Sequence, residues 1–155
     1  MANDPDSDRL AIVVRDSKAA KGAFAHQAFG DFVLLNGNQT GALFIHFLLS
    51  AHKQLETLKS KHKIIKTIVT SDLHARIAKD FDVEIFDTLT GFKWIAGLIR
   101  SWEQTKNGNE FLFGTEESFG FMPGSYVRDK DGIGALCQAV EMINFFKNQG
   151  ITACD

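Results

Sequence analysis

Apolar residues recur at three- and four-residue steps through Phe44, Phe47, Leu48, Ala51, Leu55 and Leu58, a stripe that predicts one long helix starting near Gly37. Residues 64–69 instead have the β-branched density of a buried strand, and Ser71-Asp72 then offers an N-cap for a short helix carrying Leu73, Ile77 and Ala78. A second strand is predicted over 83–86. Ile95, Leu98, Ile99 and Trp102 mark a third helix, closed by the turn at 106–109, and residues 111–113 form a further strand. The last helix is predicted from about 131 to 147, with Ile133, Leu136, Val140, Ile143 and Phe146 inward.

Ahead of residue 37 the rhythm is different. Residues 10–14 are a short β-rich run, 15–22 a polar exposed turn, and 24–35 a second extended stretch ending at the Asn36-Gly37 turn signal. The expected fold class is therefore α/β: a mixed, largely parallel sheet of about four strands packed between helices, preceded by an N-terminal β-hairpin. The unit from 37 to 150 reads as self-contained, and an open hairpin edge would be free to pair with a second copy.

With 155 residues, 45% hydrophobic content and 14 Phe, the chain can bury a real core. A formal charge of -2 gives no overall pull toward nucleic acid, and the lysines between Lys59 and Lys66 read as a solvated helix end running into a strand. Cys137 and Cys154 have neither zinc-ligand spacing nor disulfide density, with Cys137 placed on an apolar helix face, so a reducing, cytoplasmic setting is expected. Residues 1–9 lack the order of a signal peptide, and residues 42–49 are too short to span a bilayer, so no membrane partner is expected. His46, His52 and His74 have no catalytic spacing and are expected to be packing or surface residues.

Candidate chemistry gathers in loops. Asp4, Asp6 and Asp8 alternate, so an extended backbone sends their carboxylates to one side, and an oxygen-only ligand set favours magnesium, calcium or manganese. Three loops follow predicted strands: Thr70-Ser71-Asp72, the segment 88–93, and Gly114-Thr115-Glu116-Glu117-Ser118-Phe119-Gly120. In the last, Glu116 and Ser118 stand two apart and present a carboxylate beside a hydroxyl, a pair suited to vicinal sugar hydroxyls. Lys93, after Thr90-Gly91 at a helix start, could meet an anionic substrate. Residues 37–41 lack the Gly-Lys-Ser/Thr ending of a phosphate loop and read as a helix start.

In this order the segments resemble the α-D-phosphohexomutases. Asp4-Pro5-Asp6-Ser7-Asp8-Arg9 resembles that family's D-x-D-x-D-R metal loop, residues 88–94 (TLTGFKW) its T-x-T-G-x-K segment, and residues 113–120 (FGTEESFG) its sugar-recognition loop. Arg128-Asp129-Lys130-Asp131-Gly132 is similar to the stretch that leads into the last helix of the family's third domain. The resemblance implies four domains around a cleft, with residues 1–36 closing the second and 37–155 forming the third. It further implies Mg2+ held by Asp4, Asp6 and Asp8, and Arg9 as the catalytic residue beside a phosphoserine. Glu116 and Ser118 would bind sugar hydroxyls of a phosphorylated hexose, and Thr90, Gly91 and Lys93 would line the same cleft. Thr115 departs from the glycine common just before the first glutamate.

The implied activity is that of a phosphoglucomutase, interconverting glucose 1-phosphate and glucose 6-phosphate through a bisphosphorylated sugar. Phosphopentomutase, phosphomannomutase and a noncatalytic sugar-phosphate binding module are the alternatives. No Ser is followed by His-Asn, as in the family's nucleophile loop, and no R-x-S-G-T-type phosphate clamp is present. The chain is accordingly expected to be inactive alone, to rely on further domains of the same polypeptide, and to leave the acidic loop disordered or metal-free.

Overall fold

The computed structural model describes residues 1–154. An N-terminal antiparallel sheet is built from β1 (Ala2–Asn3), β2 (Leu10–Arg15), β3 (Ala28–Phe29) and β4 (Phe32–Leu35) in the order β1-β2-β4-β3. Short helix α1 (Ser17–Lys21) occupies the segment expected to be an exposed turn, and one 3-10 turn, Ala25–Gln27, interrupts the expected second extended stretch. The main body follows as α2 (Gly37–Gln54), β5 (His62–Thr67), α3 (Leu73–Asp80), β6 (Glu84–Thr88), α4 (Phe92–Thr105), β7 (Glu110–Thr115), β8 (Phe121–Met122) and α5 (Gly132–Asn148). Its sheet has the order β6-β5-β7-β8, parallel except for the antiparallel β7/β8 pair. The α/β class and the mixed, largely parallel four-stranded sheet match the expectation.

Helix α2 starts where Asn36 accepts a hydrogen bond from the Gln39 N–H and the Gln39 side chain accepts one from the Asn36 N–H, a reciprocal capping box. Its buried face uses Phe44, Ile45, Phe47 and Leu49, whereas Leu55 lies past the helix end and is exposed. Along β5, Ile64 and Ile65 face opposite ways, as strand alternation requires. Ile64 joins Phe44, Phe113 and Phe121 in the main core, and Ile65 packs with Phe92, Ile95, Ile99, Trp102 and Met122 under α4. Leu10, Ile12, Val33 and Leu35 of the N-terminal sheet belong to the main core cluster, so the core does not stop at residue 37.

Several side chains differ from expectation. Helix α5 buries Ala135, Ala139, Met142 and Phe146, while Ile133 and Val140 are exposed, because the helix rests on its small-residue stripe rather than its branched one. Cys137 is exposed. Strand β5 ends at Thr67; the Ile68 N–H still donates to the Thr88 carbonyl at the end of β6, but the side chains of Ile68 and Val69 are exposed. Lys63 and Lys66 are buried in this central strand instead of solvated; Lys66 Nζ meets Asp87 Oδ1 at 2.8 Å and the Thr70 carbonyl at 3.1 Å. A central parallel strand is covered on both faces, so its lysines are retained only by such partners.

His74, on α3, is fully buried. Its Nε2 lies 2.8 Å from the Asn38 carbonyl, which can only accept, so Nε2 carries the proton and Nδ1 is left buried with no partner among the described residues. Burial, with a smaller contribution from the Lys66 charge, pushes the His74 pKa below its ordinary value of 6.5, and His62 is lowered too, first by burial. The unfolded chain then binds more protons than the native one, so stability is expected to be complete above about pH 7 and to fall as pH drops through about 6.5. Denaturant titrations at about pH 7.5 and pH 5.5 should show this loss, and His74→Gln should reduce it. Equal pH dependence in the variant would contradict the assignment.

Among the described residues no helix is long and apolar enough to cross a membrane.

Candidate functional site

All the predicted loops lie at one end of the parallel sheet, past the carboxyl ends of β5, β6 and β7, where such sheets place their ligands. The Asp4 to Arg9 loop comes to the same place from the N-terminal sheet. Asp4 Oδ1 accepts the Asp8 and Arg9 N–H groups at 3.1 and 3.0 Å, and the Ser7 N–H donates to the Asp4 carbonyl at 3.0 Å. The Arg9 N–H in particular holds the Asp4 carboxyl below the usual carboxylate range. This turn is held together by its own backbone bonds.

Asp4, Asp6 and Asp8 can each direct one carboxylate oxygen so that all lie within 4.8 Å of one another. Asp8 Oδ1 is buried and accepts no hydrogen bond among the described residues. Three carboxylates with an orphaned buried oxygen fit a hard divalent cation. Arg9 Nε approaches Asp4 at 3.9 Å and Asp8 at 3.7 Å, partly balancing the charge.

Backbone bonds join this loop to the glutamate loop. The Leu10 N–H donates to the Phe119 carbonyl at 3.1 Å, Arg9 and Gly120 form an antiparallel bridge, and the Gly132 N–H donates to the Ser7 carbonyl at 3.1 Å. A 270 Å³ hollow lined by Asp4, Arg9 and Phe119 lies at the seam. Gly132 allows the contact: a Cβ there would meet Asn3 Nδ2 at 2.5 Å and the Ser7 and Arg9 carbonyls at 2.6 and 2.7 Å. Ser7 and Phe119, one in each loop, hold φ of 60° and 67° although neither is glycine. Such backbone persists where surrounding contacts over-determine it, often at functional sites.

The Thr90 to Lys93 segment is tied in through Glu116. That carboxylate is 5% exposed, and its Oε1 accepts the Gly91 N–H at 2.6 Å. Gly91 has φ 113° and ψ 130°, backbone open in practice to glycine alone. Ser118 Oγ lies 3.5 Å from Glu116 Oε2, so the two groups share a side as their spacing predicted. Thr90 and Lys93 are exposed, and Lys93 Nζ lies over the Trp94 ring at 5.2 Å.

Lys130 belongs to the site as well, though its side chain was given no role from sequence. Its Nζ is 2.9 Å from Asp8 Oδ2 and 5.4 Å from the Phe92 ring centre, so it pins the acidic-loop carboxylate to the main body. Partial burial opposes its charge, but the bond to Asp8 and the Asp129 charge hold its pKa above the ordinary value. Its place within an Asp-Lys-Asp-Gly stretch was the only sequence signal.

Residues 36–152 match the family model described as phosphoglucomutase/phosphomannomutase, alpha/beta/alpha domain III. The chain belongs to the phosphoglucomutase/phosphomannomutase family. It is 36% identical over 150 residues to a phosphoglucomutase of Staphylococcus epidermidis, covering 97% of this chain and 24% of that protein. A Staphylococcus aureus phosphoglucomutase is 35% identical over 156 residues, covering 100% of this chain and 25% of its own length. The chain thus spans about a quarter of the length of the curated relatives it matches. Its fold is shared with an N-acetylglucosamine-phosphate mutase described as a member of the alpha-D-phosphohexomutase superfamily, at TM-score 0.63 and 16% identity, over 99% of this chain and 36% of that one.

Proposed function

We propose that this chain forms one wall of a phosphoglucomutase active site, with residues 1–36 as the end of a metal-binding domain and 37–155 as the sugar-recognition domain. The observation that carries the reading is the backbone seam between the acidic loop and the glutamate loop at Arg9, Leu10, Phe119 and Gly120. Asp4, Asp6 and Asp8 would hold Mg2+, which when bound neutralises and polarises a phosphoryl oxygen. Arg9 balances charge beside them. Glu116, through Oε2, and Ser118 bind sugar hydroxyls, while Thr90, Gly91 and Lys93 line the approach and Lys93 meets the distal phosphate.

Phosphoryl transfer depends mainly on positioning and electrostatic stabilisation, and these residues supply both without breaking a bond themselves. With no Ser-His-Asn sequence, the chain binds substrate rather than turning it over, and the remaining chemistry comes from further domains. Backbone NMR titration of the chain tests the substrate assignment. Glucose 1-phosphate should give saturable shifts at Thr90 to Lys93 and Glu116 to Ser118, at lower concentration than mannose 1-phosphate or ribose 1-phosphate. Equal affinity for all three would remove the glucose assignment, and no response to any would remove the sugar-binding one.

A further inference from the structure

Glu117 stands between the two residues assigned to the sugar, but within the turn at 117–118 its side chain goes to a different set of partners. Its Oε2 lies 3.2 Å from both Thr67 Oγ1 and Thr70 Oγ1, and those hydroxyls are 2.7 Å apart. Both threonines are buried. Three oxygens thus share two hydroxyl protons: one hydroxyl donates to the other, which donates to the carboxylate. The same turn is held from behind, since Lys66 Nζ accepts no bond but donates to the Thr70 carbonyl at 3.1 Å and pairs with Asp87 at 2.8 Å. The turn after β5 is therefore gripped by a cation on its carbonyls and an anion on its hydroxyls, and the anion belongs to the sugar loop.

We propose that Glu117 is the positioning residue of this loop: it contacts no ligand, and by anchoring to Thr67 and Thr70 it fixes Glu116 and Ser118 where they act. A hydrogen bond to a charged, partly buried acceptor is among the stronger kinds. Without it, residues 116–119 would keep the Glu116 N–H to Gly120 carbonyl bond at 2.9 Å, the Leu10 N–H to Phe119 carbonyl bond at 3.1 Å and the Gly91 N–H to Glu116 carboxylate bond at 2.6 Å, none of which holds the tip at 117–118. The anchor is a feature of the fold; its bearing on ligand rests on the sugar-binding reading above.

Amide exchange separates the two. The Glu116, Leu10 and Gly91 N–H groups all bond to atoms of the 116–120 segment and report its position. Glu117→Met should speed their exchange by a factor of about ten to a hundred, the equilibrium worth of a hydrogen bond to a charged group, while Ala139 and Met142 in α5 keep their protection. Glu117→Gln, which retains an acceptor oxygen, should restore most of it, and Thr70→Val added to Glu117→Met should add little. Unchanged exchange in Glu117→Met, or a rise equally large in α5, would overturn the proposal. Glucose 1-phosphate should bind Glu117→Met about ten times more weakly and Glu117→Gln nearly as the parent chain. Equal affinity in Glu117→Met despite a loosened loop would also overturn it. If the parent chain fails to bind the sugar phosphate while the exchange pattern appears, the sugar reading falls and the anchor stands.

Discussion

Phe44→Ala should lower stability by about 3–5 kcal/mol, the usual cost of truncating a fully buried phenylalanine. The ring is inaccessible to solvent and lies between two others, 5.6 Å from Phe113 and 5.1 Å from Phe121, the second nearly edge-on. Those rings extend from β7 and β8, the strands that flank the Glu116 to Gly120 loop, so the cavity would open beneath the candidate site. Collapse is opposed because Phe113 and Phe121 also stack on each other at 6.3 Å. A loss of this size is a large part of the stability of an ordinary domain. Denaturant unfolding followed by circular dichroism measures it, and a loss under about 1 kcal/mol would mean that the three rings are not one packed unit.

Gly132→Ala should cost about 1–3 kcal/mol and part the acidic loop from the main body. The intrinsic helix preference of alanine over glycine works the other way, by at most about 1 kcal/mol in a helix interior and less at the first position of α5. Overpacking wins because the new Cβ would strike not only the side-chain amide of Asn3 but two backbone carbonyls that already bond to their neighbours and cannot swing aside. The Ser7 carbonyl, which accepts the Gly132 N–H, and the Arg9 carbonyl, which accepts from Asn3 Nδ2 at 2.7 Å, would both have to move. Thermal unfolding, together with NMR shifts at Asp8 and Lys130, measures the effect. A neutral or stabilised variant with unchanged shifts there would show that the loop does not rest on this glycine.

Periodicity carried the order of helices and strands from residue 37 onward because most of them bury one face against a single sheet. It misassigned α5, where the branched residues Ile133 and Val140 look like a core stripe but the helix approaches closely through Ala135 and Ala139. It also left Lys63 and Lys66 in solvent, since nothing local announces that a strand will be central and that Asp87, twenty-one residues on, will meet the ammonium. Among the site residues, the grouping of Asp4, Asp6 and Asp8 and of Glu116 with Ser118 was legible from their spacing, but the extended backbone expected for them is not what groups them: both segments are turns, the first closed by the Ser7 N–H on the Asp4 carbonyl, with Ser7 and Phe119 at positive φ. What could not be read was the seam between them: Leu10 to Phe119, Ser7 to Gly132 and Asp8 to Lys130 are contacts between segments over a hundred residues apart. Glu117 was hidden for a related reason. As one of two adjacent glutamates it looked like its neighbour, and only the position of Thr67 and Thr70 separates the roles.

Manganese tests the central claim most directly, because Mn2+ suits the same oxygen ligands as Mg2+ and broadens the NMR signals of nearby nuclei. Titrated into the chain, it should broaden residues 4–9 first, together with Phe119, Gly120, Lys130 and Gly132 across the seam, and excess Mg2+ should reverse the effect. With glucose 1-phosphate present, the sugar-phosphate phosphorus signal should broaden as well. Broadening confined to scattered surface carboxylates such as Glu84 and Glu141, or at residues 4–9 without the partners across the seam, would contradict the placement of metal loop and sugar loop in one wall.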